Sequence, residues 1–391
     1  MTEQIFIVGG EVEPPYFIGR DGEVNRIRID LLSLAQNNVI IGPRRIGKTS
    51  LLRNLQNSIQ GEVLFVQVNC RQITSPADLF RITTRAMVTA YEEKHRVKGL
   101  ARKFSDIFTG KITSAIRSIA EIGGSIENIG HVYLRFRDSE IHEEELIAET
   151  FEFIGKLADE IEEPIVIAFD EFQELSKFNG KIFNLFKTHM DSRPEVRYIF
   201  SGSSVSLLHE VFLKPDSPLY LMAARIQLEP ILQEDVNRYV RSRLEMQNIR
   251  ISDEALDTIY KYTDGFPFYF QKIGFILYQN SILEENDSIE AKDVDSAFSS
   301  MLNEFDGEFE ARYSSKFSRQ QQDILKYLSA RKTRRLKDIA TDMQTPASSL
   351  TASMRDLYNT MTVEKPHEGT YGIQDNVFRL WIMRNILVNV E

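Results

Sequence analysis

Val39-Ile40-Ile41-Gly42-Pro43-Arg44-Arg45-Ile46-Gly47-Lys48-Thr49-Ser50-Leu51-Leu52 decides the fold of this 391-residue chain. It reads as a buried strand, a glycine-bounded loop and the first turn of a helix. Gly42 to Thr49 fits G-x-x-x-x-G-K-[ST]. Backbone N–H groups in such a loop turn inward and form an anion nest, to which the helix N-terminus adds positive potential. Lys48 is expected to reach the β- and γ-phosphates of a nucleotide, and the Thr49 hydroxyl to hold Mg²⁺. The residues of the nest itself, Gly42, Pro43, Arg44, Arg45, Ile46, Gly47 and Ser50, complete the expected phosphate-binding set.

A second stretch answers the first. Ile165-Val166-Ile167-Ala168-Phe169 is an apolar strand that ends in Asp170-Glu171. The C-terminal ends of strands are where α/β sheets place ligands. Asp170 is expected beside Thr49 as the other metal ligand. Glu171, one residue on, is the candidate general base that polarises the attacking water. Gln173 and Glu174 are expected to face solvent. A third strand, Val196 to Phe200, ends in Ser201-Gly202-Ser203-Ser204. Ser203 is the first choice for a polar side chain sensing the γ-phosphate, with Ser201 and Ser204 close behind. Arg225, before a further strand, faces either a phosphate or surface carboxylates.

Composition sets the limits around these motifs. An apolar fraction of 42% and a charged fraction of 27% are those of a soluble globular protein. No run has the length of a membrane-spanning helix. The start Met1-Thr2-Glu3-Gln4-Ile5-Phe6 lacks the regions of a signal peptide. One cysteine, Cys70, excludes an internal disulfide. The expected location is the cytoplasm. A net charge of −10 argues against indiscriminate coating of nucleic acid. The charge is uneven: residues 318–391 hold eleven Lys and Arg against eight Asp and Glu, net +3, which leaves −13 for the rest.

Along the chain, Ile5 to Val8 reads as a short edge strand and Asp21 to Leu34 as a helix. The leader before it either packs on the sheet or, through Ile18-Gly19, lines a purine pocket. Residues 92–138 form an insertion. Within it, 98–122 is a basic amphipathic stretch, either packed on its own domain or a partner or membrane surface. Glu143 to Glu162 reads as a surface helix. From Gln233 the pattern is helical, and Gly265-Phe266-Pro267 marks a turn with Pro at the first helical position. From Phe317 three helices and a hairpin about His367-Glu368-Gly369 give a winged helix-turn-helix. Its third helix offers Ser348, Ser349, Thr351, Ala352 and Arg355, a poor base-reading set. Arg331, Lys332, Arg334, Arg335 and Lys337, at the start of the second helix, could take phosphates.

Taken together these stretches resemble the archaeal-type ATPase family, in the STAND class of AAA+-like P-loop proteins. The likeness rests on Tyr16-Phe17-Ile18-Gly19-Arg20, the Gly42–Leu52 loop, Phe169-Asp170-Glu171, Ser201-Gly202-Ser203-Ser204, Gly265-Phe266-Pro267 and Tyr371-Gly372-Ile373-Gln374-Asp375 with Phe378-Arg379-Leu380-Trp381. It departs from many STAND members in having no clear Met-His-Asp motif in the winged helix and no evident sensor-2 arginine after Pro267. The resemblance implies an α/β P-loop NTPase with a parallel sheet in 5-1-4-3-2 order, a helical lid and a C-terminal winged helix. The expected divisions are an ATPase core over 1–229, a lid over 230–316 and the winged helix over 317–391. It further implies that Ile18 and Gly19 meet adenine by backbone and that Pro267 packs on the base. The expected function is an ATP/ADP switch with slow Mg²⁺-dependent hydrolysis. The competing expectations are a DNA-binding regulator working through the winged helix, and a signalling or defence scaffold with a protein effector. Either is compatible with an oligomer.

Overall fold

The computed structural model describes residues 4–96, 143–161, 163–178, 180–203 and 205–387. The basic stretch 98–122, the hairpin expected near 132–136 and Ser204 lie outside the described residues.

The first unit alternates helix and strand, as the sequence pattern requires for a parallel sheet. In chain order it comprises α1 (Asp21–Leu32), β1 (Asn37–Ile41), α2 (Lys48–Ile59), β2 (Leu64–Asn69), α3 (Pro76–His95), α4 (Glu143–Glu160), β3 (Ile165–Asp170), α5 (Lys181–Ser192), β4 (Val196–Gly202), α6 (Val205–Phe212) and β5 (Ala223–Gln227). The five strands pair in parallel in the order β2-β3-β4-β1-β5, which is the expected 5-1-4-3-2 order. β1 and β3 are buried throughout, and their apolar residues, Val39–Ile41 and Ile165–Phe169, run unbroken rather than alternating. Parallel pairing brings the C-terminal ends of β1, β3 and β4 to one edge of the sheet. Every candidate catalytic residue lies at that edge.

Three expectations here are corrected. Ile5 to Val8 forms no strand; Ile5 and Phe6 are buried, and Phe6 packs on the lid against Gly274 and Tyr239. α4 is not a surface helix. Ile147, Phe151, Ile154 and Leu157, spaced at helical intervals, are buried in the core beside α3 and α5. Glu152 and Glu160 are exposed on its other side. The expected helix Asp21 to Leu34 ends at Leu32.

The second unit is helical: α7 (Gln233–Glu245), α8 (Asp253–Thr263), α9 (Pro267–Leu283) and α10 (Ala291–Lys316), with β6 (Arg250–Ile251) paired to β7 (Ser288–Ile289). Gly265 is required where α8 turns into α9. Its φ is +70°, and a Cβ there would stand 2.2 Å from the Ile231 carbonyl oxygen. This turn places Pro267 over Gly47 of the loop.

The third unit is a winged helix: α11 (Arg319–Arg331), β8 (Thr333–Arg335), α12 (Leu336–Asp342), α13 (Ala347–Asn359), β9 (Val363–Glu364), β10 (Thr370–Ile373) and α14 (Asn376–Ile382). β10 pairs antiparallel with both β8 and β9. Arg334 and Arg335 therefore lie on a strand, Arg335 being also the N-cap of α12, and Arg331, expected with them at the start of the second helix, ends α11 instead. All five cationic residues of that cluster are exposed.

The three units share their interior. One apolar core runs from Ile5 and Leu31 through Ile46 and Leu55 to Phe270 and Phe309, and on to Leu328, Leu350 and Trp381. Met361, just after α13, joins instead the core on the other sheet face, with Leu208 and Phe212 of α6.

Candidate nucleotide site

The loop after β1 is wound tightly around its own lysine. Ile46 is buried, and a Cβ on Gly42 would meet its Cγ2 at 2.9 Å. Gly47 has φ +95° and opens α2. The Lys48 ammonium, itself 6% exposed, donates to the carbonyl oxygens of Gly42 and Pro43, both at 2.9 Å. Burial lowers the Lys48 pKa to about 8, while the facing charges of Glu171 and Asp170 oppose that fall. Thr49 donates its hydroxyl proton to Asp170 Oδ2 at 2.9 Å. Loop and strand end, more than a hundred residues apart in sequence, thus meet directly. Among the described residues no three His, Cys, Asp or Glu side chains gather as a metal cluster. A hydroxyl and a carboxylate in contact are nonetheless the hard oxygen pair that suits Mg²⁺ when phosphates supply further ligands.

Glu171 stands at φ +53°, a left-handed position uncommon for a residue with a Cβ. Its N–H donates to Asp170 Oδ1 at 2.9 Å. Its carboxylate is held by three side chains. Arg71, from the 3₁₀ turn Cys70–Gln72 after β2, donates at 2.5 Å. Ser203, after β4, donates at 3.2 Å. Gln173 donates to the same Oε2 as Ser203. Gln173 therefore turns into the site and not to solvent, against expectation. Gly202 makes room for it, since a Cβ there would sit 2.3 Å from Gln173 Oε1. Of the three serines considered, Ser203 reaches the acidic residue, and Ser201 is fully buried in the sheet with its hydroxyl unpartnered. Arg225 is exposed and donates to Gln227, neither to a carboxylate nor into the loop.

Beside the loop, Val12, Tyr16, Phe17, Ile18, Ile231, Pro267 and Phe270 line a narrow apolar cavity whose floor is Ile46, Gly47 and Ser50. Gly19 (φ +66°) adjoins it, against Ile231. Ser50 is turned to the leader, accepting from the Val12 N–H at 3.1 Å. Arg20, 4% exposed, fastens the cavity from behind. It donates to the carbonyls of Glu229 at 2.6 Å and Ile46 at 3.3 Å and pairs with Glu23. Arg44 is exposed. Arg45 leaves the loop altogether: its guanidinium bonds to Tyr269 and Glu308 in the lid.

Arg71, Gln173, Arg20 and Tyr269 are the residues the sequence did not single out for the site. Arg71 comes from a distant segment with no motif of its own, and Tyr269 stands two residues after Pro267, where the Gly265-Phe266-Pro267 turn was the available signal. Arg20 lay within the quoted leader, and its position beside Gly19 was the available signal.

At the junction of the three units, Glu364 of β9 faces Asp264 and Glu229. Burial, then the charges of Asp264 and Glu229, push the Glu364 carboxyl up to about 7. Lys332 and Arg379 stand near Asp264 and partly offset its charge. The folded protein therefore holds a proton that the unfolded chain releases at ordinary glutamate pKa. Stability from this group is complete below about 4.5 and is lost as pH rises through about 7. Glu364→Gln is expected to stabilise the protein at pH 8 by about 1–2 kcal/mol, discounted for partial solvent screening. It should change little at pH 5. Denaturant titrations at the two pH values measure both.

The sequence profile of ATPase domains predominantly from Archaea matches residues 17–273. The Walker-type ATPase of Pyrococcus abyssi is structurally similar, at 19% identity and a TM-score of 0.67, over 97% of this chain and 99% of that one. The Aeropyrum pernix ORC2 protein, solved as ADPNP–ADP complexes, follows at 13% identity and a TM-score of 0.57, over 97% and 98%. At such identities the likeness speaks for the fold. In sequence, an uncharacterized protein of Methanocaldococcus jannaschii is 28% identical over 112 residues, 28% of this chain. The chain spans about a quarter (24%) of that relative's length. With the profile covering well over half of its residues, the phosphate-loop sheet in its expected order and the acidic pair at the strand end, this chain belongs to the archaeal ATPase-domain family.

Proposed function

We propose that the chain is a cytoplasmic ATP-operated switch that hydrolyses ATP slowly with Mg²⁺, its nucleotide state setting how the winged helix docks. One observation carries the reading: Thr49 and Asp170 are in direct contact beside the buried Lys48. Lys48, released from the Gly42 and Pro43 carbonyls, pairs with the β- and γ-phosphates. Thr49 and Asp170 hold the metal ion, whose chemistry is to neutralise charge on the phosphates. The cavity of Ile18, Gly19 and Pro267 takes the adenine, with Gly42 to Ser50 around the phosphates. Glu171 accepts a proton from the attacking water. Its present partners Arg71, Gln173 and Ser203 hold it turned aside, which favours slow turnover. Ser203, bonded to Glu171, is the residue positioned to respond to the γ-phosphate.

A second reading has a specific support: the exposed cations of β8 and its neighbours give the winged helix a phosphate-binding edge. In that reading ATP sets affinity for duplex DNA. The scaffold reading, with a protein effector, rests on 98–122, and the structure adds nothing to it.

Steady-state phosphate release tests both readings. Turnover is expected at roughly one per second or slower, and to vanish with EDTA. Turnover unaffected by EDTA would remove the metal from the reading. If DNA is a partner, binding appears at low salt in one nucleotide state and weakens steeply with added salt. No binding at low salt in either state removes the regulator.

A further inference from the structure

We propose that Arg45 is the clamp by which the phosphate loop holds the winged helix docked, acting through Tyr269 and Asp375. The purpose of such a clamp rests on the switch reading above, but its existence can be tested separately.

Arg45 lies three residues before Lys48 in the same loop. Its φ of +67° throws the side chain outward, toward the lid. There the guanidinium sits over the rings of Phe268, Phe305 and Tyr269, at 4.5, 4.9 and 5.3 Å from their centres. It donates to both carboxylate oxygens of Glu308, at 2.7 and 2.6 Å, and to the Tyr269 hydroxyl at 2.8 Å. A guanidinium caged by rings and paired twice to a carboxylate is committed to that geometry. The chain then continues. The fully buried Tyr269 donates its own proton to Asp375 Oδ2 at 2.8 Å, where Arg312 also donates at 3.2 Å. Asp375 is the N-cap of α14, its other oxygen accepting from the Phe378 N–H at 3.0 Å. The next residue, Asn376, donates to the carbonyls of Lys261 and Tyr262 at the end of α8.

One loop residue is therefore linked through a single hydroxyl to two of the residues that seat the winged helix on the lid. In a low-dielectric interior each bond of such a chain polarises the next, and losing one weakens the others. The loop conformation that aims Arg45 is also the one that closes Gly42 and Pro43 over Lys48. A phosphate that draws Lys48 off those carbonyls removes two bonds that hold the backbone carrying Arg45. By reciprocity, undocking the winged helix then changes nucleotide affinity by the same factor.

The test uses the full chain labelled at Ile29→Cys and Ser348→Cys, both exposed positions, with Cys70 left unlabelled because it is buried. Label-to-label distance distributions are recorded for the parent, Arg45→Ala, Tyr269→Phe and Asp375→Asn, without nucleotide, with ADP and with ATP and Mg²⁺. Tyr269→Phe removes one oxygen and keeps the ring, so it guards against loss of folding. The clamp requires all three variants to raise the undocked fraction at least about tenfold, the effect of one charge-assisted bond. Parent-like distributions in Arg45→Ala and Tyr269→Phe overturn it. If nucleotide moves the parent's winged helix and moves these variants identically, the clamp falls and the switch stands. If nucleotide never moves the parent while the variants undock, the switch falls and the clamp stands.

Discussion

Lys48→Ala is expected to weaken ATP binding by at least about a hundredfold, the loss of charge-assisted bonds to two phosphates. The pH dependence makes the expectation specific. In the empty site burial lowers the Lys48 pKa to about 8. A bound triphosphate supplies the opposite charge and holds the proton on. Above about pH 8 the empty protein has lost that proton and must recover it to bind. Affinity should therefore be flat below about pH 8 and fall above it, approaching tenfold per pH unit. Binding near pH 9 should take up close to one proton, read by calorimetry in buffers of different ionisation enthalpy. Lys48→Ala should abolish both the slope and the uptake. Parent-like affinity in that variant would remove the loop from the nucleotide site.

Glu171→Gln should separate binding from reaction. The amide keeps the shape of the side chain but cannot take a proton from water. Turnover is expected to fall by roughly a hundredfold or more, the ordinary share of a general base. ATP affinity should change by no more than a few fold, since Lys48 and the Thr49–Asp170 contact are untouched. Single-turnover quench with labelled ATP would show bound, uncleaved ATP. The substitution also breaks the Arg71 ion pair, whose arginine is half exposed, so its cost in stability should be under about 1 kcal/mol. Hydrolysis at the parent rate would assign the base elsewhere.

What the sequence disclosed and what it hid divide along physical lines. Gly42–Thr49 was legible because a phosphate loop is local: its glycines, lysine and hydroxyl sit within one turn of chain. β1 and β3 were legible through the unbroken apolar runs Val39–Ile41 and Ile165–Phe169, as strands buried on both faces carry; the buried Asn37 and Asn38 at the start of β1 gave no such signal. The strand order came through the family resemblance, since parallel neighbours are not neighbours in sequence. Arg71 could not be read, because it reaches Glu171 across a hundred residues and an arginine after a strand has many uses. β8 could not be read either: Thr333-Arg334-Arg335 has no apolar alternation, and only pairing with β10 makes it a strand. α4 is different. Its stripe of Ile147, Phe151, Ile154 and Leu157 was on the page, and the density of glutamates obscured it. Gln173 was placed in solvent by its polarity, whereas the absent side chain of Gly202 decides where it goes.

The interior common to core, lid and winged helix bears on how this protein comes apart. Phe309 and Tyr313 of α10 are covered by Phe378 and Trp381, and Met361 reaches the far sheet face beside α6. Divisible as the chain looks on paper, it should melt as one cooperative body in the calorimeter. Shortening it at the boundary before Ser318 would bare aromatic surface on what remains, and the natural fate of such a fragment is self-association.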